Sequence, residues 1–447
     1  MAETMLSVGL DVGTTSTQLV LSRLTAENRA GSFAVPELAI TSREILYRSP
    51  VYFTPLLSET RMDGEKIRQI VEREYAAAGI DRAQVDTGAI IVTGESSRKE
   101  NAGAVLEALS GLAGEFVAAA AGPDLESVLA AKGSGAVEYS RKTGKTVLHM
   151  DIGGGTTNLA LLNAGEIAAT GCLNIGGRLI KRDNGGKITY VSPVLAGISP
   201  FSPGDVPGET EISALAQTLT QVLEMAAGLR PPTPMLPRLT TAGTAQLPLP
   251  GSVEGITLSF SGGVADCMAQ SPPANAYGDM GPALGRAIRK SRLCQGDYLL
   301  GEETIRATVI GAGCHSAALS GSTVFCRNIN LPIKNIPVLP VRKVPEKIPT
   351  DQILYFPGTV AADYPGLTAL ADQLAAGSPE QVMICLEQDA AKALGQALAG
   401  RLPPGAGILC LDRIFLPAGS YLDVAQPIGP AFPVVVKTLI LQQEGST

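Results

Sequence analysis

Apolar positions alternate with small or polar ones through "MLSVGLDV" (5–12) and again through "TQLVLSRL" (17–24), so the chain opens as two strands joined by a turn at Gly13–Thr15. Alternation continues through "AITSREILYRSPVYFTPL" (39–56). The period then changes. Ile67, Ile70, Val71 and Glu74/Tyr75 of "DGEKIRQIVEREYAAAG" fall on one helical face, with Gly79 just past the end. "AIIVTG" (89–94) is a short apolar run of buried-strand type, residues 96–122 predict a helix stopped at Gly122–Pro123, and residues 124–144 predict one or two more helices. The pattern restarts at "TVLHMDIGGGTTNLALL" (146–162), followed by a hairpin over 176–193 with its tip at Asn184–Gly186 and a helix over 209–228. The proline-laden stretch 229–252 reads as a loop or linker. Residues 254–268 and again 305–325 predict strand, glycine turn, helix. Five prolines in 330–350 predict an extended connection, after which a strand and helix (380–402) and three further strands complete a small unit. The order predicts an α/β protein with two larger lobes, 1–145 and 146–330, and a C-terminal α/β extension at 331–447.

Composition narrows what these lobes can do. The 447 residues suffice for two to four cores, and 45% are hydrophobic. With no Trp and 4% aromatics, Ala, Val, Leu and Ile must fill them. A net charge of −7 without a basic run argues against nucleic-acid binding. No apolar stretch reaches membrane-spanning length, and "MAETMLSVGLDVG" lacks the basic start of a signal peptide, so neither a membrane nor export is expected. Seven cysteines stand singly with no CxxC pair, which fits reduced thiols in a cytoplasm.

The candidate chemistry lies in a repeat. "VGLDVGTTSTQLVLS" (8–22) aligns without gaps on "LHMDIGGGTTNLALL" (148–162): Asp11 meets Asp151, Gly13 meets Gly153, Thr17 meets Thr157 and Leu19 meets Leu159. The spacing of 140 residues is that of a duplicated domain. Glycines let a backbone turn tightly and bring its N–H groups close to a phosphate, and Ser/Thr hydroxyls add neutral donors. An aspartate beside such a loop is chemically sensible with a cation between it and the phosphate, and Mg²⁺ held through waters is the natural one. Two such hairpins facing each other would clamp a polyphosphate. The plainer alternative is a pair of β-hairpins whose Asp and Thr side chains bond their own turns. "ITLSFSGGVAD" (256–266) places Gly262–Gly263 where a base or ribose could lie on bare backbone, and "VIGAGCHS" (309–316) could do the same; ordinary strand-to-helix packing explains either equally.

In this order the signatures resemble the actin/hexokinase/Hsp70 ATPase superfamily, over roughly residues 5–325: a first phosphate motif at 11–17, a second at 151–157 and an adenosine motif at 259–266. The longer strings "VTGESSRKENAGAVLEALSG", "HMDIGGGTTNLALLNAGEI", "SFSGGVAD", "IRATVIGAGCHSAALSGSTVF" and "VVVKTLILQ" resemble the reactivating factors of ethanolamine ammonia-lyase nearly end to end. The resemblance implies duplicated actin/Hsp70-like ATPase lobes around a central nucleotide cleft. It also implies a chaperone-like reactivase that uses ATP and Mg²⁺ to help a coenzyme B12-dependent lyase exchange damaged cobalamin for adenosylcobalamin. The implied partner is ethanolamine ammonia-lyase and the implied location cytoplasmic, with a homodimer and a microcompartment association left open. Asp11, Gly13, Thr14 and Thr15 would then form the first phosphate loop, and Asp151, Gly153, Gly154, Gly155, Thr156 and Thr157 the second. Gly262 and Gly263 would flank the adenosine. Asp11 and Asp151 would hold the metal's waters, one of them orienting the attacking water. "TGCLNIGGRLI" (170–180) resembles the segment that shapes the lobe interface in Hsp70-like proteins. Two departures stand out. The first loop has Thr14–Thr15 where the second has Gly154–Gly155, and no lysine lies near either loop in sequence.

Other polar residues carry less. His149 shares a strand face with Asp151 and either tunes it or packs. Cys314–His315 has no partner ligands at metal spacing. Glu95 and Glu100 could reach a terminal phosphate or simply solvate a helix. A small-molecule kinase and an actin-like filament protein are the competing readings; a kinase needs an acceptor base, for which no constellation is evident.

Overall fold

The computed structural model describes residues 3–14, 16–28, 38–58, 60–81, 84–93, 96, 99–110, 117–120, 123–244, 246–249, 256–315, 317–319, 324–361, 363–414, 416, 420–424, 426–427 and 432–438. Two sheets share one strand order. In the first, Leu38–Arg48, Ser16–Asn28, Glu3–Val12, Thr87–Val92 and Val117–Ala120 lie side by side; in the second, Glu166–Leu173, Thr157–Asn163, Thr146–Ile152, Thr257–Ser261 and Tyr298–Leu300 do. Each has an antiparallel hairpin on one side of its first strand and a parallel crossover on the other. The chain thus carries one α/β lobe twice, the duplicated architecture expected from the sequence. The repeat is kept in register: Asp11 pairs Gln18 and Asp151 pairs Asn158.

The predicted amphipathic helix is Gly64–Ala78, with Ile67, Ile70, Val71, Glu74 and Tyr75 buried and Gly79 as its left-handed cap. The second lobe holds the largest core, in which Met150, Ile152, Leu159 and Phe260 meet Leu219 and Leu223 of the Glu209–Ala226 helix. No described helix is long and apolar enough to cross a membrane.

Two helices tie the lobes together. Pro123–Gly133 follows the first sheet in sequence but packs on the strands of the second, where Ser127 Oγ donates to the Gly171 carbonyl. Ala307–His315 follows the second sheet but packs on the first, Val309 and Ile310 meeting Met5, Val20 and Leu24. The two cross at glycine. A Cβ on Gly311 would stand 2.0 Å from the Leu129 carbonyl oxygen, and one on Gly133 would stand 1.9 Å from that of Ala307.

A third, eight-stranded sheet follows. Its central strands Ile333–Pro340, Ile353–Phe356, Gln381–Leu386 and Gly407–Leu411 are parallel, with helices Tyr364–Ala375 and Ala391–Ala399 on one face.

Four expectations need correction. Residues 96–122 are a helix, Ala102–Ser110, and then a strand, Val117–Ala120, because "VAAA" completes the parallel edge beside Thr87–Val92. "VIGAGCH" is helical and forms no strand-to-helix turn for a base or ribose: Gly311 serves the crossing just described, and Gly313 lets the helix approach Gly9 of the first strand. The stretch 229–252 is no linker, since Leu236, Leu239 and Leu249 sit in the second core. The proline-rich 330–350 is not a connection: Ile333–Pro340 is a strand paired on both sides.

The crossing predicts an asymmetry between glycines. Gly311→Ala and Gly133→Ala should each lower unfolding stability by about 1–3 kcal/mol through overpacking. Gly103→Ala, with open space around it in the Ala102–Ser110 helix, should be neutral or mildly stabilising. Urea unfolding of the three variants checks this, and equal effects would remove the close-crossing account.

Candidate functional site

Asp11 closes the first strand of one lobe and Asp151 that of the other, and both are only 7% exposed. They line one cavity of about 110 Å³ between the lobes, together with Gly13, Thr14, Gly153–Thr156, Gly262 and Gly263. The turns that follow them are built alike. The Gly13 amide donates to the Ser16 carbonyl at 2.8 Å, and the Gly153 amide donates to the Thr156 carbonyl at 2.9 Å. Their carbonyls are tied from behind. That of Gly13 accepts from Thr54 and Ser96 hydroxyls at 2.7 and 3.0 Å, and those of Gly153 and Gly154 accept from the amides of Gly177 and Arg178 at 2.9 and 2.7 Å. The amides of Gly154, Gly155 and Thr156 find no backbone acceptor among the described residues. Such a loop offers N–H groups to an anion.

The other expected residues sort themselves. Thr157 is fully buried, its hydroxyl donating to the Ile175 carbonyl at 2.8 Å, and it does not line the cavity. Thr15 and Glu95 lie outside the described residues, as do the side chains of Cys314 and His315, while Glu100 is exposed and away from the cavity. Gly262 has φ +85° at the end of the Thr257–Ser261 strand, and a Cβ there would stand 2.4 Å from the Ile152 carbonyl oxygen. The adenosine-type turn therefore leans directly on the strand that carries Asp151.

Both carboxylates are held well above the usual range. Burial pushes Asp11 up to about 7, against a 2.8 Å hydrogen bond from Thr93, and the charge of Asp151 adds to the rise. Burial likewise pushes Asp151 up to about 6, against hydrogen bonds from Ser261 and Thr308. Opposite the two acids, the amide oxygens of Gln18 and Asn158 are buried without a hydrogen-bond partner among the described residues. The donor set is thus an excess of acceptors, which suits a hydrated divalent cation. No cluster of three or more His, Cys, Asp or Glu among the described residues could hold a metal directly, so contact through waters is the arrangement these residues fit.

His149 is joined to this chemistry through one side chain. It is wholly buried, Nδ1 lies 3.1 Å from Ser259 Oγ and Nε2 lies 2.9 Å from Ser261 Oγ, and Ser261 in turn donates to Asp151 Oδ1. Burial pushes the imidazole down to about 3, so it is neutral, and Nε2–H donates to the serine whose proton is already committed to the aspartate.

Sequence reasoning missed several neighbours. Glu126 lines the cavity from the crossing helix. Arg178, Lys181 and Ser192 border a second crevice at the loop tips. The signal was present in "GGRLIK", but a local string cannot show that its backbone would bond the Gly153–Gly154 loop.

Known proteins similar in sequence place the chain in a family. The family described as Ethanolamine utilisation protein EutA matches residues 3–355 and 350–442. The ethanolamine ammonia-lyase reactivase EutA of Salmonella typhimurium is 35% identical, over 97% of this chain and 98% of that one. The protein of the same description from Escherichia coli is also 35% identical, with the same coverage. Among solved structures, the Ppx/GppA family member of Aquifex aeolicus is similar over 62% of this chain and 71% of its own, at 18% identity and a TM-score of 0.35. Ethanolamine utilization protein EutJ from Carboxydothermus hydrogenoformans is similar over 69% and 89%, at 17% and 0.34. Those two likenesses are loose. Matched from end to end by the family and by both relatives, the chain belongs to the EutA family of ethanolamine utilisation proteins.

Proposed function

We propose that this protein is a reactivase of ethanolamine ammonia-lyase that binds ATP with Mg²⁺ between its lobes and uses hydrolysis to help the lyase release damaged cobalamin and take up adenosylcobalamin. One observation carries the reading. Each lobe lends a buried carboxylate and a glycine turn to the same cavity, in a chain whose relatives are named for this reactivation.

Bound Mg²⁺ supplies Lewis-acid charge to the phosphoryl oxygens. The chain's own residues do the rest. The amides of Gly154, Gly155 and Thr156 and the Gly13–Thr14 turn would position the phosphates, and Asp11 and Asp151 would hold the cation through its waters. His149, through Ser261, holds Asp151 in one rotamer. At about 110 Å³ the cavity is well below the roughly 300 Å³ at which ligand pockets usually begin, so a nucleotide enters a more open arrangement and the lobes close on it. Nucleotide must then bind the two arrangements with different affinity. The two acids provide the difference: brought together without a cation they disfavour closure, and with one they favour it.

The direct test mixes the protein with cyanocobalamin-inhibited ethanolamine ammonia-lyase, free adenosylcobalamin and Mg-ATP. Lyase activity should return, and Asp11→Asn or Asp151→Asn should cut the rate of return and of ATP hydrolysis by about 10–100-fold. Phosphorylation of a small alcohol instead would favour the kinase reading, and ATP-dependent sedimentation into polymers the filament reading. Unchanged ATP turnover in both variants would remove the mechanism.

A second test needs no partner. Carboxyls raised from 3.8 to about 7 and about 6 keep protons in the folded chain that the unfolded chain has already lost. Folding stability without metal or nucleotide should therefore fall as pH rises from about 4 to 7. Asp11→Asn and Asp151→Asn should flatten that fall, Asp11→Asn more strongly. Thermal midpoints across that pH range check the sign, and identical slopes in wild type and variants would contradict it.

A further inference from the structure

Beside the cavity, and separated from it only by the loop tips, lies a crevice of about 50 Å³ lined by Thr14, Gly154, Gly155, Arg178, Lys181 and Ser192. At about 10–15 Å³ for one water, this accommodates a phosphate-sized group and excludes a nucleoside. Its polar lining is unusual in what it leaves unbonded. Ser192 is 2% exposed, and its hydroxyl has no hydrogen-bond partner among the described residues. Arg178 Nε is buried without a hydrogen bond, 3.6 Å from Asp279 Oδ2. The guanidinium rests instead on a ring face, 5.0 Å from the centroid of Phe53, which belongs to the first lobe and is 69% exposed. Lys181 Nζ lies 4.8 Å from the centroid of the Tyr190 ring. Both cations are thus seated on rings beside the phosphate loops. The Arg178 backbone is also fixed to that loop, its amide donating to the Gly154 carbonyl at 2.7 Å.

From this arrangement we propose that the crevice is an anion pocket for the terminal phosphate of a nucleoside triphosphate, in which Arg178 exchanges the Phe53 ring for phosphate oxygens. The proposal rests on the nucleotide reading of the neighbouring cavity. It supplies the positive charge that no lysine near either loop in sequence provides. A planar guanidinium fits phosphate in a two-pronged way, and charge-assisted hydrogen bonds are stronger than a ring contact at an exposed site. The Ser192 hydroxyl gains the acceptor it lacks. Because Phe53 comes from the opposite lobe, the exchange makes the contact between lobes depend on whether a third phosphate is present. Triphosphate and diphosphate states then differ at the lobe mouth through one side chain.

The test measures binding of a non-hydrolysable triphosphate analogue and of ADP by calorimetry, both with Mg²⁺. The wild type should prefer the triphosphate. Arg178→Ala should weaken the triphosphate by about 10-fold or more while changing ADP less than about 3-fold, and Ser192→Ala should act in the same direction more weakly. Phe53→Ala should leave triphosphate affinity the same or raise it. Should Arg178→Ala fail to fold, Arg178→Lys, which keeps the charge and loses the fork, should still lower the preference. Equal losses for both nucleotides, or none for either, would overturn the proposal while leaving the nucleotide reading intact. A thermal-shift titration with pyrophosphate separates the two ideas. If the wild type binds neither nucleotide yet pyrophosphate stabilises it and not Arg178→Ala, the nucleotide reading fails and the anion pocket stands. Without either response, both fail.

Discussion

Everything functional in this fold depends on two helices that each belong to one lobe in sequence and to the other in packing. Pro123–Gly133 lies on the second sheet and Ala307–His315 on the first, and they touch where neither has a side chain. Close crossings fix distance: with backbone against backbone there is no side chain to repack, so the separation of the two helices is set along that line. The crossing places the ends of the first strands of the two sheets on one cavity. Asp11 and Asp151 meet because the crossing holds their strands there, although no hydrogen bond joins them.

That meeting is electrostatically uncomfortable. Two buried acids share a cavity, and their nearest hydrogen-bonding partners are neutral: Thr93 for one, Ser261 and Thr308 for the other. Hydroxyl donors recover only part of the desolvation cost of a carboxylate, so both acids hold protons far above their ordinary range. A site of this kind is poised. Its charge state responds to any charge brought close to the two carboxyls. The strain is kept tolerable by the surrounding scaffold, in which His149 and three serines form a wholly buried neutral network behind Asp151.

The legibility of the sequence follows the same division between local and tertiary causes. The two acid–glycine turns were readable because every residue they need lies within one short string, and the structure repeats even their amide-to-carbonyl bond. The amphipathic Gly64–Ala78 helix was readable for the same reason. "VIGAGCH" misled because its glycines answer to Leu129 on another helix and to Gly9 on the first strand, not to a turn of their own. "VAAA" misled because alanine's helical preference yields to an open parallel edge, and the prolines of Ile333–Pro340 because extended backbone can be recruited into a sheet whose partners come later in the chain. The segment around Arg178 was legible as part of the lobe interface but not Arg178 as a site residue, since its place depends on a backbone bond to Gly154 and on a ring from the other lobe.

The crossing also bears on the third sheet. The Ala307–His315 helix ends where the strand Ala317–Leu319 begins, and that strand is the edge of the eight-stranded sheet, paired with Pro433–Thr438. That edge strand touches Leu38–Arg48 of the first lobe, and its neighbour Pro433–Thr438 touches Val117–Ala120. A helix seated on one lobe, crossed by the tie of the other and continuous with a third sheet cannot move without moving that edge. Nucleotide-dependent closure would therefore reach the third sheet through covalent continuity, by displacement of a stiff element, and a chain of side-chain contacts would be unnecessary.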